Sequence, residues 1–241
     1  MKLNEFSSIL KEKLEKINIE INNEKVESLY KYMNLVCEWN KNINLTSIVE
    51  PDDFIHKHFI DSLIVEKFIK KNESIIDIGT GAGFPGIPLN ILNGEVNNYT
   101  LVDSLNKRII FLEEVVKQLN LKNIKLIHSR VEDLAMNNDY REKFDNVVSR
   151  AVAPLNVLVE YMLPFVKIGG KCICMKGSNI GDEINSAKKA INILGGRVIN
   201  IERYFLPDSD IERNIIIIKK VRKTGTQYPR KAGIPRKNPI I

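Results

Sequence analysis

Cysteine is scarce in this chain of 241 residues, with three in all, and tryptophan occurs once. Cys37, Cys172 and Cys174 form no disulfide framework, which predicts a reducing, cytoplasmic setting. No apolar run approaches the roughly 20 residues that a membrane-spanning helix needs, so no membrane partner is expected. The opening Met1-Lys2-Leu3-Asn4-Glu5 lacks the charged-then-apolar layout of a secretory leader. Internal repeats and low-complexity segments are also missing. What is present is ordinary for a globular protein: 44% hydrophobic and 27% charged residues, in a length that suits one large domain or one domain with a modest extension.

The net charge of +6 is unevenly spread. From Lys219 onward the bases Lys219, Lys220, Arg222, Lys223, Arg230, Lys231, Arg236 and Lys237 meet no acid, and removing those eight from +6 leaves −2 for the rest. A basic end containing proline and glycine can contact phosphates with little regular structure. A solvated, frayed terminus is the alternative.

Residues 1–70 predict a helical cap. Leu3, Phe6, Leu10, Leu14 and Ile17 follow helical spacing, as do Val26, Leu29, Tyr30, Met33 and Val36. Asn22-Asn23 offers a cap between the two helices, and Pro51 can open a third that carries Ile55, Phe59 and Leu63. From Ser74 the texture changes to short apolar strands (74–79, 99–103, 124–128, 144–149 and 171–176) alternating with helices such as 105–120 and 180–194. That alternation predicts a mostly parallel sheet covered on both faces. Two more strands, 197–205 and 213–221, suit an antiparallel hairpin at its edge. The expected units are therefore a cap (1–70), an α/β domain (71–221) and a basic tail (222–241).

The sharpest signal directly follows the first strand: Asp77-Ile78-Gly79-Thr80-Gly81-Ala82-Gly83-Phe84-Pro85-Gly86. Glycines permit a tight turn and close approach of a ligand, and the next helix, which Pro88 can start, points its free N–H groups at that ligand. Gly81-x-Gly83-x-x-Gly86 also fits a dinucleotide fingerprint. Asp77 argues against a dehydrogenase, because a carboxylate gains nothing beside a pyrophosphate. It gives the D-x-G-x-G-x-G arrangement of S-adenosylmethionine sites, where it can face the methionine ammonium directly or through water. Asp103 ends the second strand and can accept from ribose hydroxyls; a helix cap is the compatible alternative. Backbone groups of Val131 and Glu132, after the third strand, could read an adenine edge, unless they merely start a helix.

With these residues in hand, the chain resembles the glucose-inhibited division protein B family, the ribosomal RNA small-subunit methyltransferase G enzymes. Trp39-Asn40, Asn44-Leu45-Thr46 and His58-x-x-Asp61-Ser62 carry the resemblance in the cap. Residues 77–89, Asp103-Ser104-x-x-Lys107-Arg108, Ser149-Arg150-Ala151, Lys176-Gly177 and Glu212-Arg213 extend it along nearly the whole chain. The resemblance implies a Rossmann-like class I S-adenosylmethionine-dependent methyltransferase fold with an N-terminal helical extension. It also implies N7-methylation of one guanine in 16S ribosomal RNA. The cofactor contacts it implies fall on Gly79, Phe84, Val131, Glu132 and Arg150, beside Asp77, Gly81, Gly83 and Asp103 from the turn and the second strand. Val131 departs from the alanine of many relatives, which a backbone contact tolerates.

Guanine N7 has a lone pair and no proton, so it needs alignment rather than a general base, in keeping with the lack of an obvious catalytic dyad. Arg150, after the fourth strand, can reach guanine O6, a phosphate or the cofactor; a donor on N7 itself would block attack. An ion pair with Asp77 or Glu132 is its structural alternative. Lys176 and Arg213 are further candidates for holding phosphate or base, with a solvated surface as the alternative. Cys172 and Cys174 alternate along a strand and read as core. His56 and His58 do not share a helix face, so no metal is expected, and nothing demands more than a monomer. Two other functions fit the same fold: a methyltransferase acting on a protein or small molecule, and a non-catalytic RNA-binding protein.

Overall fold

The computed structural model describes residues 1–241. Helix α1 (Leu3–Glu15) buries Phe6, Leu10 and Leu14, the stripe expected from its spacing. Helix α2 (Asn23–Ile43) is capped by Asn22, whose side chain accepts from the Lys25 N–H. Its buried face holds Val26, Leu29, Tyr32, Met33 and Val36. Tyr32, rather than the expected Tyr30, is the inward tyrosine: Tyr30 lies at the rim and donates to the Met1 carbonyl. The third helical stretch has Pro51 in its first turn, in α3 (Pro51–Phe54), but its middle, Ile55–Ile60, is π-helical before α4 (Asp61–Leu63). Wider π-turns are uncommon and recur at functional sites; here the turn carries His58 and leads into Asp61.

Strands β1 (Ser74–Ile78), β2 (Asn98–Asp103), β3 (Ile124–His128), β4 (Phe144–Arg150) and β5 (Val166–Lys176) pair in parallel. Strands β6 (Gly196–Phe205) and β7 (Glu212–Lys220) form the expected hairpin, with β7 antiparallel to β5. The order is β3-β2-β1-β4-β5-β7-β6. Helices α5 (Gly86–Asn93) and α6 (Asn106–Gln118) pack on the cap side of the sheet; α8 (Leu155–Met162) and α9 (Gly181–Ile193) cover the other face, and the short α7 (Val131–Leu134) follows β3.

Strand order reverses between β1 and β4, and at such a switch point the strands' carboxyl ends open a crevice for ligands. The cap is not a separate globule. One cluster of 36 buried residues runs from Phe6 and Leu29 through Ile87 and Phe111 to Ile217, so cap and sheet share a core. The hairpin tip reinforces this, since Asp208 pairs with Lys13 of α1 and with Lys16 just past its end. Cys172 and Cys174 are fully buried in the second cluster, beneath α8 and α9.

The basic end is neither frayed nor wholly free. Lys220 is fully enclosed and bonds the Leu163 carbonyl at 2.6 Å, Glu142 at 3.2 Å and Thr224. Arg141 donates to the carbonyls of Thr224, Gly225 and Tyr228, and Arg230 makes a forked pair with the fully buried Glu160. The segment ends in a single helical turn, α10 (Ile234–Lys237). Charges that read as a loose phosphate-binding tail are partly consumed as internal anchors.

Candidate functional site

The glycine turn is held from three sides. Asp77 is completely buried; its Oδ2 accepts from Thr80 Oγ1 at 2.7 Å and from the Gly86 N–H at 2.9 Å. Burial raises its pKa to about 6 against those stabilising bonds. Its Oδ1 has no partner within the protein, an orphaned acceptor at the base of the turn. Asp103 clasps the turn from β2, since its Oδ2 accepts from the Gly81 N–H at 2.9 Å and from Arg108, while its Oδ1 accepts from the Leu105 N–H just before the following helix, which has no side-chain cap. The cap supplies the third contact, a hydrogen bond from the Tyr32 hydroxyl to the Ala82 carbonyl.

Two cavities open at this edge of the sheet. One, of about 600 Å³, is lined by Ile78, Gly79, Asp103, Val131 and Glu132 among others. Gly79 has φ +67°, and a Cβ there would stand 2.6 Å from Val152 Cγ2, so only glycine keeps this wall open. A nucleoside fits the arrangement: a carboxylate at the end of β2, a bare glycine backbone beside it and the start of α7 beyond. Gly79, Asp103, Val131 and Glu132 are thus brought together. Gly81, Gly83 and Phe84 are not on this wall. Gly83 faces Ile87 and the Tyr32 hydroxyl, where any Cβ would collide. The Phe84 ring turns toward the cap and stacks on the His58 imidazole at 4.3 Å with an interplanar angle of 4°. Asp77, expected to face a ligand ammonium, lies beneath the turn and stabilises its backbone.

The second cavity, of about 630 Å³, collects Lys57, His58, Asp61, Arg150, Lys176 and Arg213 from the cap, β4, β5 and β7. Arg150 is fixed by three acceptors: the Lys57 carbonyl at 2.7 Å, Asp61 Oδ2 at 3.1 Å and His58 Nδ1 at 2.9 Å. Its partner is Asp61, not the Asp77 or Glu132 considered from sequence. A guanidinium has only donors, so Nδ1 must be the accepting nitrogen and Nε2 carries the hydrogen, which it gives to Thr46 Oγ1 at 2.8 Å. Burial, and then the Arg150 charge, push the His58 pKa down to about 3, keeping the ring neutral.

Asp61 is 4% exposed, and its Oδ1 accepts from the Tyr204 hydroxyl at 3.0 Å with Arg213 Nε at 3.4 Å. Lys176 is not a solvated surface residue: its side chain is 9% exposed and bonds the Ala153 carbonyl and Glu183, both at 2.7 Å. The cap motifs gain a physical meaning. Asn40 Oδ1 accepts from the Leu45 and Thr46 N–H groups, setting the loop that orients His58.

Ala151 and Val152 line both cavities, so the two meet at the loop that follows Arg150. Four bases against two acids leave the second cavity net positive, suited to a phosphate-bearing substrate. Neither buried cysteine can serve as a nucleophile there; burial drives the Cys174 thiol up to about 12. Sequence reasoning missed Tyr32 and Tyr204. Each acts through one hydroxyl whose partner is distant in the chain, a relation that leaves no periodic trace.

A family model described as GidB, rRNA small subunit methyltransferase G, matches residues 9–215. Curated relatives called ribosomal RNA small subunit methyltransferase G include one from Alkaliphilus oremlandii, 51% identical over 98% of this chain and 99% of its own. Others from Clostridium botulinum and Clostridium tetani are 50% and 48% identical with the same coverage. Among solved structures, the chain superposes on M. jannaschii TYW2 in complex with AdoMet with a TM-score of 0.52 and 15% identity, covering 85% of this chain and 80% of that one. TrmN from Thermus thermophilus gives a TM-score of 0.52 at 11% identity over 69% of this chain and 53% of its own. At such identities these two likenesses show the fold alone.

Proposed function

The chain belongs to the rRNA small subunit methyltransferase G family, and on that footing we propose that it transfers a methyl group from S-adenosylmethionine to N7 of a guanine in 16S ribosomal RNA. The observation that carries this reading is the meeting of two cavities at Ala151 and Val152. One has the carboxylate, bare glycine and helix start that a nucleoside cofactor uses, and the other is basic.

Gly79, Asp103 and the backbone of Val131 and Glu132 would hold the cofactor. When bound, it supplies an electrophilic sulfonium methyl. The protein's part is positioning. Such alignment can contribute roughly 7–11 kcal/mol to a reaction whose nucleophile needs no deprotonation. Arg150, pinned by Asp61, His58 and the Lys57 carbonyl, would present a fixed guanidinium to the base or its phosphate. Lys176 and Arg213 would hold the neighbouring backbone, and the cap would exclude water.

A single chain carries every one of these groups, so a monomer suffices. We propose a cytoplasmic location with it, in keeping with a ribosomal substrate and three free thiols. No helix is long and apolar enough to cross a membrane.

The test is transfer of labelled methyl to 16S rRNA and to small subunits from cells lacking this protein, with nucleoside mapping. Label in 7-methylguanosine is the expected result. Cofactor binding without label in RNA would move the substrate to a protein or small molecule, and RNA binding without transfer would leave a non-catalytic protein.

A further inference from the structure

The last twelve residues lie far from the glycine turn in sequence, yet Gly233 and Arg236 line the same cavity as Gly79 and Asp103. They arrive there along a segment held by buried charge. Glu160 has no solvent exposure and spends both carboxylate oxygens on Arg230, whose backbone N–H it also accepts at 2.8 Å. Lys220 and Arg141 fix the stretch before it, with three hydrogen bonds from the Arg141 guanidinium to the carbonyls of Thr224, Gly225 and Tyr228. Burying such groups is costly unless they are paired, so a dispensable terminus would not require them.

The final link is to the cavity wall itself. The Gly233 N–H donates to Glu132 Oε1 at 3.0 Å, from a left-handed backbone with φ +82°. Glu132 is 9% exposed and itself lines the cavity, so the bond from Gly233 ties the C-terminal segment to the cavity wall. Tyr161 of α8 lines the same cavity as Glu132, Gly233 and Arg236.

Resting on the cofactor reading above, we propose that residues 231–237 are an integral wall of the S-adenosylmethionine pocket. Gly233 latches onto Glu132, and Arg236 covers the rim next to Tyr161. Glu132 is then a positioning residue for this strap. Arg236 is exposed and has no acidic partner within the chain, which leaves its guanidinium to lie over a flat nucleobase.

The experiment is calorimetric titration of S-adenosylmethionine into the full chain, a chain ending at Arg230, Arg236→Ala, Glu132→Ala and Glu132→Gln, each with its ligand-free Tm. Stopping at Arg230 keeps the Glu160, Lys220 and Arg141 anchors. The truncated chain should therefore melt near the full chain yet bind about tenfold more weakly. Arg236→Ala should weaken binding by a smaller factor without a Tm change. Glu132→Ala should approach the truncation, and Glu132→Gln, which keeps an acceptor oxygen, should recover most of the affinity. In turnover the loss should fall on KM for the cofactor and spare kcat. Equal affinity in the full and truncated chains would overturn the proposal, as would a truncation that changes only the KM for RNA. A full chain that binds no S-adenosylmethionine would instead refute the cofactor reading.

Discussion

Removing the Arg150 guanidinium disturbs two things at once, and the structure allows the two to be weighed. Arg150 and Asp61 have side chains only 14% and 6% exposed, and breaking a buried pair by deleting one partner costs about 3–5 kcal/mol. Arg150→Ala also strands the Lys57 carbonyl and His58 Nδ1. Asp61, however, keeps Tyr204 and Arg213, so its charge is not fully abandoned. The loss should sit near the lower end, about 3 kcal/mol, or a Tm drop of about 6–12 °C for a chain of this size. Urea unfolding of Arg150→Ala, Asp61→Asn and the double variant provides the check. With Asp61 neutralised, the arginine is needed less, so the double variant should be more stable than additivity predicts by at least about 1 kcal/mol. Methyl transfer must be read at a temperature where the variant stays folded, and should still fall sharply. A cost under about 1 kcal/mol with strict additivity would refute the coupled cluster.

Two other expectations follow from the site. Gly79→Val should reduce S-adenosylmethionine affinity by about 100-fold, because any Cβ there meets Val152 in a left-handed backbone; unchanged affinity by calorimetry would remove the turn from the cofactor wall. The pH dependence of stability should show two opposed slopes. His58, held at about 3 when folded, lets the unfolded chain take up the extra proton, so stability is lost as pH falls from about 6.5 toward 3. Asp77, raised to about 6, keeps a proton that the unfolded chain has released, so its contribution is lost as pH rises from about 4 to 6. Asp77→Asn should remove only the second slope. Urea midpoints between pH 4 and 6 should then fall more steeply on acidification in the variant than in the wild-type chain; parallel curves would contradict the assignment.

Much of this architecture is legible in the sequence, because it rests on local rules. Short apolar runs alternating with helical spacing give the sheet and its covering helices, and the edges of β2 and β3 fall within a residue of those expected. The turn after β1 was readable because glycine alone tolerates its backbone, and the carboxylate ending β2 because its distance from that turn is set by one helix and one strand. Motif residues of the cap are visible as a resemblance, and the spacing of His58 and Asp61 lets them meet, but nothing local shows that both turn to Arg150.

What only the folded chain decided are relations between distant residues. Arg150 could have paired with Asp77 or Glu132 on sequence grounds; packing the cap against β4 brings Asp61 to it instead and leaves Asp77 enclosed beneath the turn. Phe84 lies within the glycine motif, yet its ring belongs to the cap, where it stacks on His58. The basic end shows the contrast most clearly. Composition records eight positive charges and cannot tell solvated ones from paired ones, because that depends on where Glu142 and Glu160 sit in space. Local propensities act over a few residues and survive in the sequence as patterns. The worth of a charge depends on its burial and its partner, which exist only once the chain has closed on itself.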